Sequence, residues 1–282
     1  MPNASRTINF KQLTVNNKTR IRLLIFFLIL SLVTCHLSLV SAQQSPLDEA
    51  KASYTAQLTK YNNAKEDYVT AKANYASFQT ASAKGEAFTK TKEYLSQVDH
   101  LLIVYMQLVK EYGENTRWQN VSFDKSQTDG ILADQINIIQ AHKQELDNTQ
   151  TLEELPPLAK ELKDKLDNST IPKINKIIVT FDIAQTEYVF SRFVDVSQTT
   201  NDLVQKRIGP ANYTLLLNWQ SEIADIKDKT ATNLSLAKQS YQKIREDKNN
   251  PYQIQQTDQI TQRAKVELKR SKNLFEEMLR VI

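Results

Sequence analysis

Residues 50–78 read AKASYTAQLTKYNNAKEDYVTAKANYASF, and tyrosine returns every seventh residue, at Tyr54, Tyr61, Tyr68 and Tyr75. Ala50, Ala64, Ala71 and Phe78 accompany the tyrosines along the stripe. A seven-residue period on a 3.6-residue helix drifts by about 20° per repeat, so such a stripe stays on its partner only under a left-handed supercoil. The pattern Ala-Lys-x-x-Tyr occurs at 50–54, 64–68 and 71–75, and again at 237–241. Large phenols set against small alanines predict a close-packed seam between helices, with the hydroxyls reaching water at its edge. The alternative is an exposed aromatic ladder that binds a glycan or a partner helix. Apolar stripes at heptad spacing are usually core, which favours packing.

The rest of the chain extends the helical reading. Of 282 residues only 4 are glycine and 7 proline, so turns are few and elements long. Ser45-Pro46-Leu47-Asp48 has an N-cap, a proline at the first helical position and an acid at the third. A helix is predicted from there to about Lys84, with Gly85 as a stop or kink. A second runs from about Glu86 to Tyr112 and ends at Gly113, a third covers roughly Asp129–Asp147, and Glu114–Phe123 reads as a loop. Thr151-Leu-Glu-Glu154 is a capping box, delayed by Pro156-Pro157, and Asn168-Ser-Thr with Pro172 is a new start or a kink. A long helix then continues to Ile208. Gly209-Pro210 separates it from one running to about Lys248, and Asn250-Pro251-Tyr252-Gln253 caps the last. The β-branched stretch Ile177–Val196 competes for strand. Ile174, Ile178, Phe181, Ala184 and Tyr188 keep helical spacing, so helix is expected there too. Leu101-Leu-Ile-Val-Tyr-Met106 is apolar on every face, which predicts a helix centre buried on all sides.

Ahead of this body lies a leader. Residues 1–22 are polar and basic, Leu23–Val40 is apolar, and Val40-Ser41-Ala42 fits a small-residue cleavage site. The apolar run is intermediate between a signal-peptide core and a spanning helix, so cleavage after Ala42 and retention as a signal anchor both remain open. Either route places Gln43 onward outside the cytoplasm, because positive charge stays inside. The expected organisation is 1–42 as signal peptide or signal anchor and 43–282 as an extracytoplasmic body. That body is expected to be all-α, an elongated antiparallel bundle of long helices with coiled-coil-like heptad packing.

The leader also distorts the charge balance. The chain carries a net charge of +4, but Arg6, Lys11, Lys18, Arg20 and Arg22 lie in the first 42 residues, which hold no acid. The body keeps 31 basic residues against 32 acidic ones. Nucleic-acid binding needs a basic surface to displace counterions, and that class is set aside. The one cysteine, Cys35, is in the leader, so the body has neither disulfides nor thiol chemistry.

Chemistry-bearing patterns are sparse. The body has two histidines, His100 and His142. His142-x-x-Glu145 stands alone and reverses the Glu-x-x-His order of a di-iron bundle. His142 is expected to be a solvated helix residue and His100 a partly buried one. Asp182 with Glu187 is an unremarkable acid pair in so charged a chain. No His-Glu-x-x-His, Gly-x-Ser-x-Gly or phosphate loop occurs. No catalytic, cofactor-binding or metal-ligating residue is therefore predicted, and no cofactor. Asn120, Asn168, Asn212 and Asn233 fit the glycosylation sequon.

The expected function is that of a non-enzymatic, secreted or membrane-tethered module of the cell envelope, structural or protein-interacting. Its expected partner is another envelope protein or a cell-wall glycan, and the membrane itself through residues 23–40 if uncleaved. The alternative is a ligand-binding or sensory bundle with a pocket near Tyr105, Trp118 or Trp219. An enzyme using dispersed carboxylates would need two acids with raised pKa values facing each other.

Overall fold

The computed structural model describes residues 45–119, 121–207 and 213–281. The leader 1–42 lies outside the described residues, as does Gly209-Pro210. Ser45–Ile282 forms one compact unit. The regular structure of the described residues is all helix, with no strand among them. The helices are α1 (Pro46–Phe78), α2 (Ala81–Asn115), α3 (Lys125–Asn148), α4 (Leu155–Lys165), α5 (Ile171–Arg207), α6 (Tyr213–Tyr241) and α7 (Pro251–Val281). A 3₁₀ turn, Leu152–Glu154, precedes α4, and a π turn, Leu166–Thr170, joins α4 to α5 without a break. No described helix is long and apolar enough to cross a membrane.

Several boundaries follow the caps. Ser45 accepts a hydrogen bond from the Asp48 amide at 3.2 Å and opens α1 behind Pro46. Asn250 accepts from the Gln253 amide at 3.3 Å and opens α7. Others depart from expectation. α1 ends at Phe78, not near Lys84, because Gln79 turns left-handed (φ 50°) while its amide still bonds the Tyr75 carbonyl. Thr80 then caps α2 by accepting from the Ala83 amide at 3.2 Å. A hydroxyl cap stabilises a helix start by about 1 kcal/mol, enough to offset a non-glycine residue in the left-handed region. Gly85 therefore lies inside α2 and stops nothing.

Gly113 does not end α2 either. The helix runs on to Asn115, and the glycine leaves room for the ring of Phe181, which sits 2.6 Å from where a Cβ would be. Asp124 starts α3 four residues early, accepting from the Ser126 amide at 2.9 Å. Glu154 reaches the Gln150 amide and the Thr151 hydroxyl, both at 2.9 Å, so the expected capping box is displaced by one residue. At Asn168–Pro172 the helix neither restarts nor breaks. The wider π turn makes room for the proline ring against the preceding turn. α6 stops at Tyr241, well before Lys248, where Ile244 leaves the helix axis to bury itself beside Val179, Ile183 and Ala264.

At 1.5 Å per residue α1, α5 and α6 are about 50, 55 and 44 Å long, shorter than the roughly 60 Å expected. α1 packs along α2 and has no other extensive partner among the described residues. α2 holds α1 on one side and α3 on another, and touches α4 and α5. Leu101–Tyr105 are accordingly half-buried, not enclosed, and only Met106 of that run is sealed. α5, α6 and α7 pack mutually. Their core holds Phe193, Leu216, Trp219, Ile226, Leu274 and Met278 toward one end and Val179, Ile183, Leu234 and Ala264 toward the other.

The two glycines of α2 make opposite demands. A Cβ at Gly85 meets nothing within 4 Å, so Gly85→Ala is expected to raise unfolding free energy by about 0.5–1 kcal/mol. Gly113→Ala must displace a buried aromatic ring and is expected to cost about 1–3 kcal/mol. Denaturant midpoints of the two variants check both signs.

Candidate functional site: buried charge clasps between helices

The buried face of α3 is Thr128, Leu132, Gln135, Ile139, His142 and Leu146, at helical three- and four-residue steps. His142 is therefore not solvated. Its position on this stripe, between Ile139 and Leu146, leaves it only 1% exposed. Asp99 occupies the matching stripe of α2, among Leu95, Val98 and Met106, and is fully buried. The two meet with Nδ1 of His142 2.9 Å from each carboxylate oxygen. Burial pushes the Asp99 carboxyl above the usual carboxylate range, and His142 pulls it partly back. The same spacing in the sequence carried this signal, but a polar residue on an apolar stripe declares itself only when its partner's stripe is known.

An aspartate orienting a histidine is half of a nucleophilic triad. The other half is missing, because Nε2 of His142 is buried with no hydrogen-bond partner. There is no hydroxyl or thiol for it to deprotonate, and Glu145 is exposed. One residue along, His100 is half-buried and its Nε2 lies 2.8 Å from Nζ of Lys143. Burial and the Lys143 charge hold its imidazole below the ordinary value of 6.5. Lys92 then closes the C-terminal end of α3, donating to the carbonyls of Asp147 and Thr149 at 2.9 Å each.

A second group of clasps surrounds loop 116–124, which leaves α2 and crosses to α5 and α6. Asp182 and Glu187 do not pair with each other. Asp182 is bonded by the ammonium of Lys265 on α7, and burial pushes its carboxyl up against that attraction. Glu187 accepts from the Ser122 amide at 2.9 Å, the Ser122 hydroxyl at 2.5 Å and Lys238 at 2.8 Å. Ser122 also lies 3.2 Å from Lys238. A serine beside a lysine suggests a nucleophile, but a nucleophile needs a base with a free lone pair. Here the lysine is ion-paired to Glu187 and the serine proton points at the same carboxylate. The trio clamps the loop.

Most of the aromatic residues on the helix contacts are engaged in packing, whereas Phe78, Tyr213 and Tyr252 are exposed. Trp118 stands edge-on to Phe181 at 5.6 Å and donates to the Gly113 carbonyl at 2.9 Å. Trp219 is 2% exposed in the α5–α7 core. Tyr105 packs on Tyr54 at 5.8 Å, Tyr68 stacks on Tyr94 at 5.0 Å, and Tyr61 lies 5.6 Å from the same ring. Tyr54, Tyr61 and Tyr68 of the α1 stripe thus form a seam with α2, whereas Phe78 at its end is exposed. Of the sequon asparagines, Asn168 is exposed on the π turn, Asn233 is half-buried on α6, and Asn120 and Asn212 lie outside the described residues. Among the described residues no group of three or more His, Cys, Asp or Glu could hold a metal ion. The two carboxyls raised by burial, Asp99 and Asp182, face a histidine and a lysine on different helices, not each other.

Removing one member of the sealed pair leaves a buried, unpaired partner, so Asp99→Ala is expected to cost about 3–5 kcal/mol. Replacing both residues together, Asp99→Leu with His142→Leu, is expected to cost clearly less than the two single changes added. A double-mutant cycle by urea denaturation reads the difference. No protein-family model matches this chain, and neither a curated protein nor a solved structure was found to match it.

Proposed function

We propose that this chain is an exported, non-enzymatic helical bundle that serves as a structural or protein-interaction module of the cell envelope. It is released after cleavage at Ala42 or held by residues 23–40. One observation carries the reading. The buried side chains that could do acid–base chemistry each contact another helix or the interhelical loop: Asp99 with His142, Asp182 with Lys265, and Glu187 with Ser122 and Lys238. Groups held this way fix helix register and are poorly placed to act on a substrate. The leader supplies the route of export, and the near-neutral body suits a protein partner better than a polyanion.

The partner is another envelope protein or a cell-wall glycan. The α1 tyrosine stripe is not a glycan platform, because the rings of Tyr54, Tyr61 and Tyr68 are packed against α2. We further propose that the bundle is elongated, with the α1–α2 seam packed in coiled-coil fashion. The tyrosine heptad and the unbroken run from α4 through α5 support this shape.

Cell fractionation of a C-terminally tagged chain, followed by N-terminal sequencing, tests the reading. The chain is expected in the envelope or the medium, beginning at Gln43 if cleaved and at Met1 if anchored. Recovery of a soluble cytoplasmic chain that still begins at Met1 overturns it.

A further inference from the structure

The described body has two histidines, and both lie at the same place, on the α2–α3 contact toward the C-terminal end of α3. Asp99 faces His142, and the next residue of each helix forms the pair His100–Lys143. Histidine is the side chain whose unperturbed charge change falls between pH 5 and 8. Both imidazoles of the described body therefore sit on one interface between two helices.

The two pairs differ in what a proton does to them. Protonating His142 adds a positive charge opposite the Asp99 carboxylate, which favours the contact, although the new Nε2 proton is buried without an acceptor. His100 behaves in the opposite way. An ammonium has no lone pair, so in the 2.8 Å contact Lys143 donates and Nε2 of His100 must accept. That geometry requires a neutral ring with its proton on Nδ1. A second proton on Nε2 abolishes the acceptor and sets two cations against each other at hydrogen-bond distance.

The groups around the ring do not remove the conflict. Lys143 of α3 and Lys60 of α1 oppose protonation of His100, while Asp99 of α2 and Asp147 of α3 favour it. Asp99 is already held by His142, and Asp147 lies beyond Lys143 in the last turns of α3. Glu161 of α4 interacts with His142.

We propose that His100 and Lys143 form an acid-release latch, in which protonation of His100 loosens the C-terminal part of α3 from α2. The direction follows from linkage. A base held below its ordinary value of 6.5 in the folded state binds fewer protons there than in the unfolded state. Stability rises with pH wherever the unfolded state binds more protons. The latch is thus fully closed above 6.5 and opens as pH falls from 6.5 toward the lower folded-state value. This goes beyond the envelope reading and does not depend on it, since the latch acts in any compartment whose pH crosses that range.

The test uses the full chain in a mild detergent, with histidines labelled for NMR titration and amide hydrogen exchange followed between pH 7.5 and 5. The His100 ring is expected to titrate below 6.5. After correction for intrinsic exchange rates, opening of α2 and α3 around 95–105 and 138–147 is expected to rise on acidification. The ceiling is about tenfold per pH unit, the limit for one linked proton. His100→Gln keeps an acceptor for Lys143 but cannot titrate, so its exchange is expected to stay flat. Lys143→Met removes the opposing cation and is expected to move the His100 titration upward and shrink the acid opening. Titration of His100 at or above 6.5, or acid opening that persists in His100→Gln, overturns the proposal. The second outcome assigns the response to Asp99 and His142 instead.

Discussion

The ring of Phe181 lies in the space a side chain would fill at Gly113, and the two groups of helices are joined around that contact. Helices satisfy their own backbone hydrogen bonds, so side-chain contacts and the connecting segments hold one group against the other. Phe181 also meets the rings of Tyr112 and Trp118, at 5.8 and 5.6 Å. The following loop is pinned by Ser122 to Glu187 and by the ring of Phe123 to Tyr241. A glycine, five aromatic rings and one carboxylate thus set where α2 and the loop after it meet α5 and α6.

The charge clasps have a different role from the apolar core. A buried ion pair gains little over a well-packed apolar pair, because desolvation of both charges offsets their attraction. Its geometry is nevertheless strict. Asp99 can meet His142, and His100 can meet Lys143, in one register of α2 against α3 only. A slide by one turn would bury two charges without partners. Asp182–Lys265 does the same for the parallel pair α5 and α7, and Ser240, Gln253 and Thr257 for the antiparallel pair α6 and α7. In a bundle rich in Ala, Leu and Ile, such pairs distinguish one alignment from its neighbours.

Much of this was legible in the sequence. The caps at Ser45 and Asn250, the tyrosine seam, and helix across Ile177–Val196 all follow from local chemistry, and local chemistry decided them. The failures share a cause. Sequence position suggests Gly85 as a stop or kink and Gly113 as a stop, yet a glycine ends a helix only where the backbone turns left-handed, and α1 ends at Gln79, which does so. His142 was placed in solvent because one stripe shows a polar residue without showing what faces it. The stop at Tyr241 depends on the pull of a core that Ile244 enters, and that core is assembled from α5 and α7. Sequence reasoning ran out where a residue's role is set by a neighbour far along the chain.

The pairing of α1 with α2 alone has a consequence for how the protein is made. Closing that hairpin involves only residues adjacent in sequence, across the two-residue turn Gln79–Thr80. Once residue 115 has emerged from a ribosome or a translocation pore, α1 already has its full partner and has no need to wait for distant segments. α5 is in the opposite position, because Asp182 and Phe193 meet Lys265 and Phe275 only when the last helix has arrived. Short closures are fast and long ones slow. The chain is thus ordered from its front to its rear, and its final helix completes the assembly.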